Sequence, residues 1–181
     1  MALHYSWRSG WWQSSTVVPA TCAGNDRLVK RRLRYPTAID RKRVGKYPAS
    51  ANAGGGYVWD EVLEYRVWCH PERGAEDLAD GNDSYFAFAT YPKALAFSRR
   101  TSGAETPLAL IRQKEYIDEP SPGQYKHVRR PRVTEWPVEF LHRPRRNRNT
   151  IPKFLSPSAP SNRLDILRGI AGQRRRKRSR R

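Results

Sequence analysis

The side chains that most often bind metal ions or act as nucleophiles are sparse in the central part of this chain. The candidates are Cys69, His70, His127 and His142, and no C-x-x-C, H-x-H or H-x-x-x-H spacing connects them. Cys69 and His70 are neighbours on a predicted strand, so their side chains point to opposite faces and cannot easily share one ion. The sequence therefore predicts no metal site, and we interpret Cys69 as a small core residue.

The spacing of the residues also does not predict a catalytic nucleophile, a pair of catalytic carboxylates or a nucleotide-binding loop. A Cys69–His127 pair would need adjacent strands and an exposed thiol. Glu135 and Glu139 are separated by about 13 Å if both lie on one strand, which is too far for a pair of catalytic carboxylates. The glycines at 54–56 precede a predicted strand rather than a helix, so they do not form a phosphate-binding loop. No catalytic residue is predicted.

Arg66 is the basic residue within the first clear strand of the sequence. An arginine on a strand-to-helix unit, with a late-strand carboxylate such as Glu135 or Glu139, resembles the general layout of ADP-ribosyl-transferring folds. A simpler interpretation pairs Arg66 with the acidic loop that follows its strand, and we expect that pairing.

Basic residues provide the strongest functional indication. The net charge is +18, from 35 basic and 17 acidic residues, but residues 57–125 carry 7 basic and 12 acidic residues, a net charge of −5. Cationic arms around an acidic centre favour an anionic partner such as RNA or DNA, whereas the alternative is a solvated basic surface in an arginine-rich chain. Binding would use phosphate contacts with little base readout, and Tyr125 and Trp136 would extend the surface. The candidate phosphate-contacting residues are Arg129, Arg130, Arg132, Arg143, Arg145, Arg146, Arg148, Arg174, Arg175, Arg176, Lys177 and Arg178.

The elements that would position these residues follow from hydrophobic period and turn chemistry. Strands are predicted at 63–70, 85–89, 107–117, 124–129 and 133–141, and helices at 90–103 and 162–172. The fold class is α+β, with a small antiparallel sheet of about five strands, one helix packed on a face and a short C-terminal helix. The nearly continuous apolar run at 85–89 predicts a central strand, and the polar run at 124–129 predicts an edge strand.

Composition divides the chain into three parts. Residues 1–56 are predicted to be a basic, disordered N-terminal extension that ends in a flexible linker at 49–56. Residues 57–172 form the α+β domain, and residues 173–181 form a disordered basic tail. An alternative is that translation starts downstream at an alternative codon, for example at Val58.

The cysteine content and the hydropathy of the chain limit the compartment and the partners that we expect. Cys22 and Cys69 are interpreted as reduced thiols. The chain has neither an apolar run near the roughly 20 residues of a membrane span nor the order of a signal peptide. We therefore expect a cytoplasmic protein without a membrane partner, and the edge strands could bind a protein partner.

The span from Tyr65 to about Ala171 resembles a set of short, stand-alone bacterial proteins. The resemblance is carried by YRVWCHPERG, YFAFATYPKALAFS, PLALIRQKEYIDEPSPGQYKHV, TEWPVEFL and APSNRLDILRGIAG. Such proteins are often labelled N-acetyltransferase-like, which implies acetyl-coenzyme A as the cofactor. From the residues themselves we expect a nucleic-acid-binding domain without a cofactor, and an N-acetyltransferase-related protein using acetyl-coenzyme A is the alternative.

Overall fold

The computed structural model describes residues 35–170 of the chain. The strands are β1 (Asn52–Ala53), β2 (Glu61–Cys69), β3 (Ser84–Phe88), β4 (Leu108–Gln113), β5 (Tyr116–Ser121), β6 (Gln124–Val128) and β7 (Arg132–Pro137). The α-helices are α1 (Tyr91–Arg100), α2 (Thr150–Leu155) and α3 (Arg163–Leu167). Within these residues the predicted α+β fold is confirmed, and no helix is long and apolar enough to cross a membrane.

Five of the strands form one sheet in the order β1-β7-β4-β2-β3. Every neighbouring pair in this sheet is antiparallel except β1 and β7, which are parallel. The register of β2 and β3 aligns Cys69 with Ser84 and Tyr65 with Phe88. The remaining strands, β5 and β6, form a separate antiparallel hairpin.

The main core lies between one face of this sheet and α1. Alternate residues of β2 (Tyr65, Val67 and Cys69) point into it, as their period-two spacing predicts. Ala94 of α1 and Trp136 of β7 are fully buried in the same core. The buried position of Cys69 agrees with its interpretation as a core residue.

The opposite face of β2 is also buried, which the sequence pattern did not predict. The side chains of Glu64 and Arg66 on this face are fully buried. Tyr47 covers the face and packs in a small cluster with Leu63 and Leu110. The period-two pattern predicted one buried face. The second face carries charged residues, which normally indicate exposure, but here they form ion pairs with one another and can therefore be buried.

The predicted disordered extension differs from the structure in its residues 35–56, while residues 1–34 lie outside the described part. Ala38 donates a backbone hydrogen bond to Ala89 at 2.9 Å, and Ile39 donates one to Val62 at 2.9 Å. Residues 52–53 form β1, paired in register with residues 134–135. All of these partners are distant in sequence, so local composition gave no sign of them.

The glycines interpreted as a flexible linker instead form a packed turn. Gly54, Gly55 and Gly56 all have positive φ, at 57°, 74° and 76°. At Gly56 a Cβ atom would lie 2.6 Å from Oε1 of Gln113 and from Nη2 of Arg132, so only glycine fits this position without a clash.

Three strand predictions need correction. The predicted strand 133–141 ends at Pro137, and Val138–His142 form a short 3₁₀ helix. The predicted strand 107–117 is divided between β4 and β5, because the chain leaves the main sheet at Lys114 and enters the hairpin. The predicted central strand is β3, which lies at an edge of the sheet. Its apolar character comes from packing against α1, since Phe86 and Phe88 both contact Phe97.

A second, smaller core joins the hairpin to the C-terminal helices. Val58, Ile117, Ile151, Phe154 and Leu167 are buried together in it. Helix α2 was not predicted, and α3 is shorter than the predicted helix 162–172 because Gly169 turns the chain at φ 73°. This core fixes the loop between β7 and α2 relative to the hairpin.

Candidate anion-binding site

A cavity of about 360 Å³ lies between the hairpin and the loop that precedes α2. Three of the predicted phosphate-contacting arginines reach it from two separate segments. Its lining consists of Glu115, His127, Arg129, Arg146, Asn147, Arg148, Ile151 and Pro152. The floor is formed by apolar residues of α2, and the remaining lining is polar or charged. We call this the basic cavity.

Asp60, the residue before β2, holds the arginine loop in place. Nε of Arg146 donates to both carboxylate oxygens of Asp60, at 2.9 and 3.1 Å, and its Nη2 lies 2.8 Å from Oδ1. The backbone N of Lys114 donates to Oδ2 of the same carboxylate, and Nε of Arg145 donates to the Asp60 carbonyl. The Asp60 carboxylate is buried, so this charge-assisted pair balances the charge of Arg146.

Glu115 lies between His127 and Arg146 on the wall of the basic cavity. Nε2 of His127 is 2.6 Å from Oε2 of Glu115, and Nη1 of Arg146 is 3.7 Å from Oε1. Nε2 of His127 faces the Glu115 carboxylate and therefore carries a proton. In a neutral ring Nδ1 is then a hydrogen-bond acceptor, and in a charged ring Nδ1 is a donor. Glu115 therefore orients the imidazole, and only the charged form of His127 can donate a hydrogen bond from Nδ1 to an anion.

Arg129 and Arg148 are the arginines of the basic cavity with free charge. Both are exposed, and neither lies within ion-pair distance of a carboxylate among residues 35–170. Arg130, next along the chain, is also exposed, and its hydrogen bond with Tyr116 raises the pKa of its guanidinium. These guanidiniums can bind an anion without first breaking an internal ion pair.

Arg132 and Arg143 have structural contacts instead. Nε of Arg132 donates to Oε1 of Gln113 at 2.5 Å, and its Nη2 donates to the Gly54 carbonyl at 3.1 Å. The guanidinium of Arg143 stacks over Phe140, with 3.7 Å between the carbon and the ring centroid. Burial lowers the pKa of both arginines, that of Arg143 to about 10. The tail candidates Arg174, Arg175, Arg176, Lys177 and Arg178 lie outside the described residues.

The aromatic residues expected to extend the binding surface are not on it. Trp136 is fully buried in the main core, where its Nε1 donates to the Gly55 carbonyl at 3.1 Å. Tyr125 packs edge-on against Phe154 in the second core. Trp136 offers no free face for stacking on a base, and the partly buried ring of Tyr125 has the guanidinium of Arg163 5.5 Å from its centroid.

The remaining candidates of the sequence lie in other environments. Burial raises the pKa of the Cys69 thiol, which disfavours a nucleophilic thiolate. His142 stacks on Tyr35 with ring centroids 5.6 Å apart. His70 lies among carboxylates from three segments, and sequence reasoning missed this cluster because Asp83 and Glu105 are brought to it only by the fold.

The predicted partner of Arg66 was wrong. Its Nε lies 2.8 Å from Oε1 of Glu64 and its Nη1 lies 2.9 Å from Oε1 of Glu135. The acidic loop makes no ion pair with Arg66 among the described residues. Alternation along β2 directs Arg66 and Glu64 to one face, which is how the pair forms.

Comparison with known proteins assigns no family to the chain. No family model matches it, and no curated protein or solved structure shows significant similarity to it. The resemblance drawn from the sequence, and the acetyltransferase alternative that follows from it, remain predictions.

Proposed function

We propose that the domain binds a nucleic acid by holding its phosphates in the basic cavity. The observation that carries the proposal is the meeting of Arg129 and Arg148, two exposed arginines from distant segments, around one cavity. A guanidinium fork matches the oxygens of a phosphate and can donate two parallel hydrogen bonds to it. Two such forks on one cavity would fix the path of a phosphate backbone.

Neighbouring residues complete a phosphate-binding set. His127 adds a ring nitrogen to the wall of the cavity. Oδ1 of Asn147 accepts from the backbone N of Asn149, which orients the Asn147 amide and leaves its Nδ2 as a donor. Arg146 contributes little net charge because Asp60 balances it, so we assign it the role of holding the loop.

The proposed contacts carry little sequence information. Phosphate contacts position a nucleic acid, whereas base edges or stacked bases specify its sequence. Since Trp136 is fully buried and Tyr125 packs against Phe154, we expect no contribution from stacking on these rings. We therefore expect weak sequence preference and a steep dependence of affinity on salt.

The test is fluorescence anisotropy of the full chain with a labelled single-stranded RNA and a DNA duplex of mixed sequence. The double variant Arg129→Gln/Arg148→Gln should weaken RNA binding about tenfold and reduce the slope of log K against log salt by about 1.4, or about 0.7 for each lost contact. Unchanged binding in this variant would exclude the basic cavity as the site.

A matched control separates a local site from general charge attraction. Lys93 and Arg99 are exposed on α1 and lie outside the basic cavity. The variant Lys93→Gln/Arg99→Gln removes the same two charges and should leave affinity nearly unchanged. An equal loss in both double variants would instead support a solvated basic surface without a site. Removal of residues 173–181, which include seven basic residues, should lower the salt slope further.

The acetyltransferase alternative predicts a different experimental result. An acetyl-coenzyme A site should give a saturable rise in melting temperature that does not require residues 173–181. A nucleic acid should compete with such a rise only if both ligands use the basic cavity. A saturable rise that Arg129→Gln/Arg148→Gln leaves intact would support an acetyl-coenzyme A site outside the basic cavity, and unchanged RNA binding in the same variant would in addition contradict the proposed function.

A further inference from the structure

A second polar cluster surrounds the ring of His70, where β2 ends. Nδ1 of His70 lies 2.8 Å from Oδ1 of Asp83 and 3.7 Å from Oε1 of Glu72. Nε2 lies 3.0 Å from Oε1 of Glu105. One histidine is therefore enclosed by three carboxylates, and none of these residues lines the basic cavity.

Strand register brings Asp83 to this position. Cys69 at the end of β2 pairs with Ser84 at the start of β3, so the next residues along, His70 and Asp83, face each other. Glu72 follows within the short turn after β2. The antiparallel ladder thus fixes the position of Asp83 relative to His70.

The backbone of His70 is held tightly. Its N donates to the Gly103 carbonyl at 3.0 Å, and its carbonyl accepts from Arg73 at 3.0 Å and Ala75 at 3.2 Å. A Cβ atom on Gly103 would lie 2.7 Å from the His70 carbonyl oxygen, so the two segments are in close contact. A rigid backbone of this kind pre-positions a ligand residue.

The His70 ring has a carboxylate close to each of its two nitrogens. His70 is more than nine-tenths buried, and its Nε2 makes no hydrogen bond within residues 35–170. Glu105 is close enough for an ion pair with Nε2, but the contact is not aligned as a hydrogen bond. A neutral imidazole carries one proton, so it can donate to the carboxylate at Nδ1 or to the one at Nε2 but not to both. A cation at one nitrogen would satisfy the carboxylates on that side.

We propose that Nδ1 of His70, with the carboxylates of Glu72 and Asp83, binds a divalent metal ion of the Zn²⁺ class. The three ligand atoms lie within 4.8 Å of one another. Bonds of about 2.0 Å to a tetrahedral ion place ligand atoms about 3.3 Å apart. The separations of 2.8 and 3.7 Å from Nδ1 bracket that value, and both carboxylates are exposed enough to adjust by rotation.

The ion would also determine which ring nitrogen of His70 carries the proton. Metal binding at Nδ1 places the proton of a neutral imidazole on Nε2, and a rotation of the partly exposed Glu105 carboxylate, 3.0 Å away, would align it as the acceptor. Nη1 of Arg73 lies 2.9 Å from Glu105, and this contact holds the outer carboxylate near the ring. Mixed imidazole and carboxylate donors favour Zn²⁺ over Mg²⁺, and three protein ligands leave a position for water or substrate.

Calorimetric titration of the chelator-treated, untagged full chain with ZnCl₂ tests the site. We expect one equivalent of Zn²⁺ to bind, and Glu72→Gln and Asp83→Asn each to weaken binding at least tenfold. Glu105→Gln should weaken it about 10–100-fold, as loss of an outer partner does. Glu76→Gln, an exposed acid of the same loop outside the cluster, is the matched control and should bind as the parent does.

Glu72→Gln and Asp83→Asn alter exposed side chains, so we expect both variants to fold even if a variant of His70 does not. Binding of Zn²⁺ by Glu72→Gln and Asp83→Asn with parental affinity would place the ion elsewhere and overturn the proposal. Absence of micromolar binding by the parent would overturn it equally. A shift of the His70 Nδ1 resonance on titration, with Nε2 remaining protonated, would support it directly.

Discussion

Nη1 of Arg66 lies 2.9 Å from Oε1 of Glu135, and the strands that carry these residues, β2 and β7, are not neighbours. The ion pair therefore crosses the face of β4, the strand between them. Arg66 also donates to the carbonyls of Ala49, at 3.0 Å, and Pro48, at 2.7 Å. Through one buried guanidinium, three separate parts of the chain are held together.

Replacing Arg66 with methionine should destabilise the fold strongly. The variant Arg66→Met leaves the fully buried carboxylate of Glu64 without its partner, and loss of one member of a buried pair costs about 3–5 kcal/mol. The urea midpoint measures this loss. The double variant Glu64→Gln/Arg66→Met should recover part of it, and equal stability of the single variant and the parent would show that the network does not stabilise the fold.

Alanine at position 56 should also lower stability. The positive φ of 76° costs a side chain about 1–2 kcal/mol, and contact with Gln113 and Arg132 adds a packing penalty of about 1–3 kcal/mol. Gly123→Ala is the matched control, since its φ is 78° but nothing lies within 4 Å of the added methyl group. Chemical denaturation should show a larger loss for Gly56→Ala, and equal losses would refute close packing at the turn.

The domain boundary can be tested with two fragments. A fragment of residues 35–172 retains Tyr47, β1 and the carbonyl groups around Arg66, whereas a fragment of residues 57–172 lacks them all. We expect the longer fragment to unfold cooperatively at a higher temperature. The shorter one should melt at least 10 °C lower or without a sharp transition, because the second face of β2 is then exposed. Equal melting curves for the two fragments would support the domain boundary that the sequence predicted at residue 57.

Acid should selectively remove the contribution of Glu61. Burial alone would raise the pKa of Glu61, but hydrogen bonds from Arg112 and Lys114 outweigh it and hold the pKa below its ordinary value of 4.5. A carboxyl group whose pKa is lower in the folded state stabilises the fold above the unfolded value, and this stabilisation is lost as the pH falls through the folded value.

The variant Glu61→Gln should therefore be about 1 kcal/mol less stable than the parent at pH 7, and the difference should shrink below pH 4.5. Parallel denaturation series at several pH values measure it. Glu139→Gln, at an exposed position without an ion pair among the described residues, should change stability by less than about 0.5 kcal/mol at every pH. A difference that is independent of pH would contradict a role for the carboxylate charge.

The Cys69 thiol should resist labelling while the protein is folded. It is buried, and burial raises its pKa, so the thiolate is rare at pH 8. In a Cys22→Ala background, a disulfide reagent should react with Cys69 only at the rate of unfolding, and urea should release the full reactivity. Rapid labelling of the native protein would show that the main core opens at this position.

The sequence predicted those elements whose signals are local. Alternation along β2 and a helix after Thr90 both appear in the structure, because period two and helix-starting residues act over a few positions. Residues 35–56 were misassigned because their partners, such as Ala89 and Glu135, lie far along the chain. Burial of Arg66 was missed partly for the same reason, since one of its two carboxylate partners, Glu135, lies 69 positions away.

The candidate site was predictable in composition but not in arrangement. The arginines around the basic cavity were identified as a set, yet the structure divides them by environment. Arg129 and Arg148 are free among the described residues, Arg146 is balanced by Asp60, and Arg132 is packed within the domain. Charge content can be counted in a sequence, whereas the internal carboxylate that neutralises one arginine and not its neighbour is a product of tertiary structure.

The two-residue strand β1 has a consequence for the behaviour of a shortened chain. By pairing with Thr134 and Glu135, β1 covers the outer side of β7, which would otherwise present unpaired amide and carbonyl groups to solvent. Open edges of this kind recruit strands from other molecules. Proteolytic loss of residues up to 53 would therefore convert a closed side of the sheet into a template for self-association.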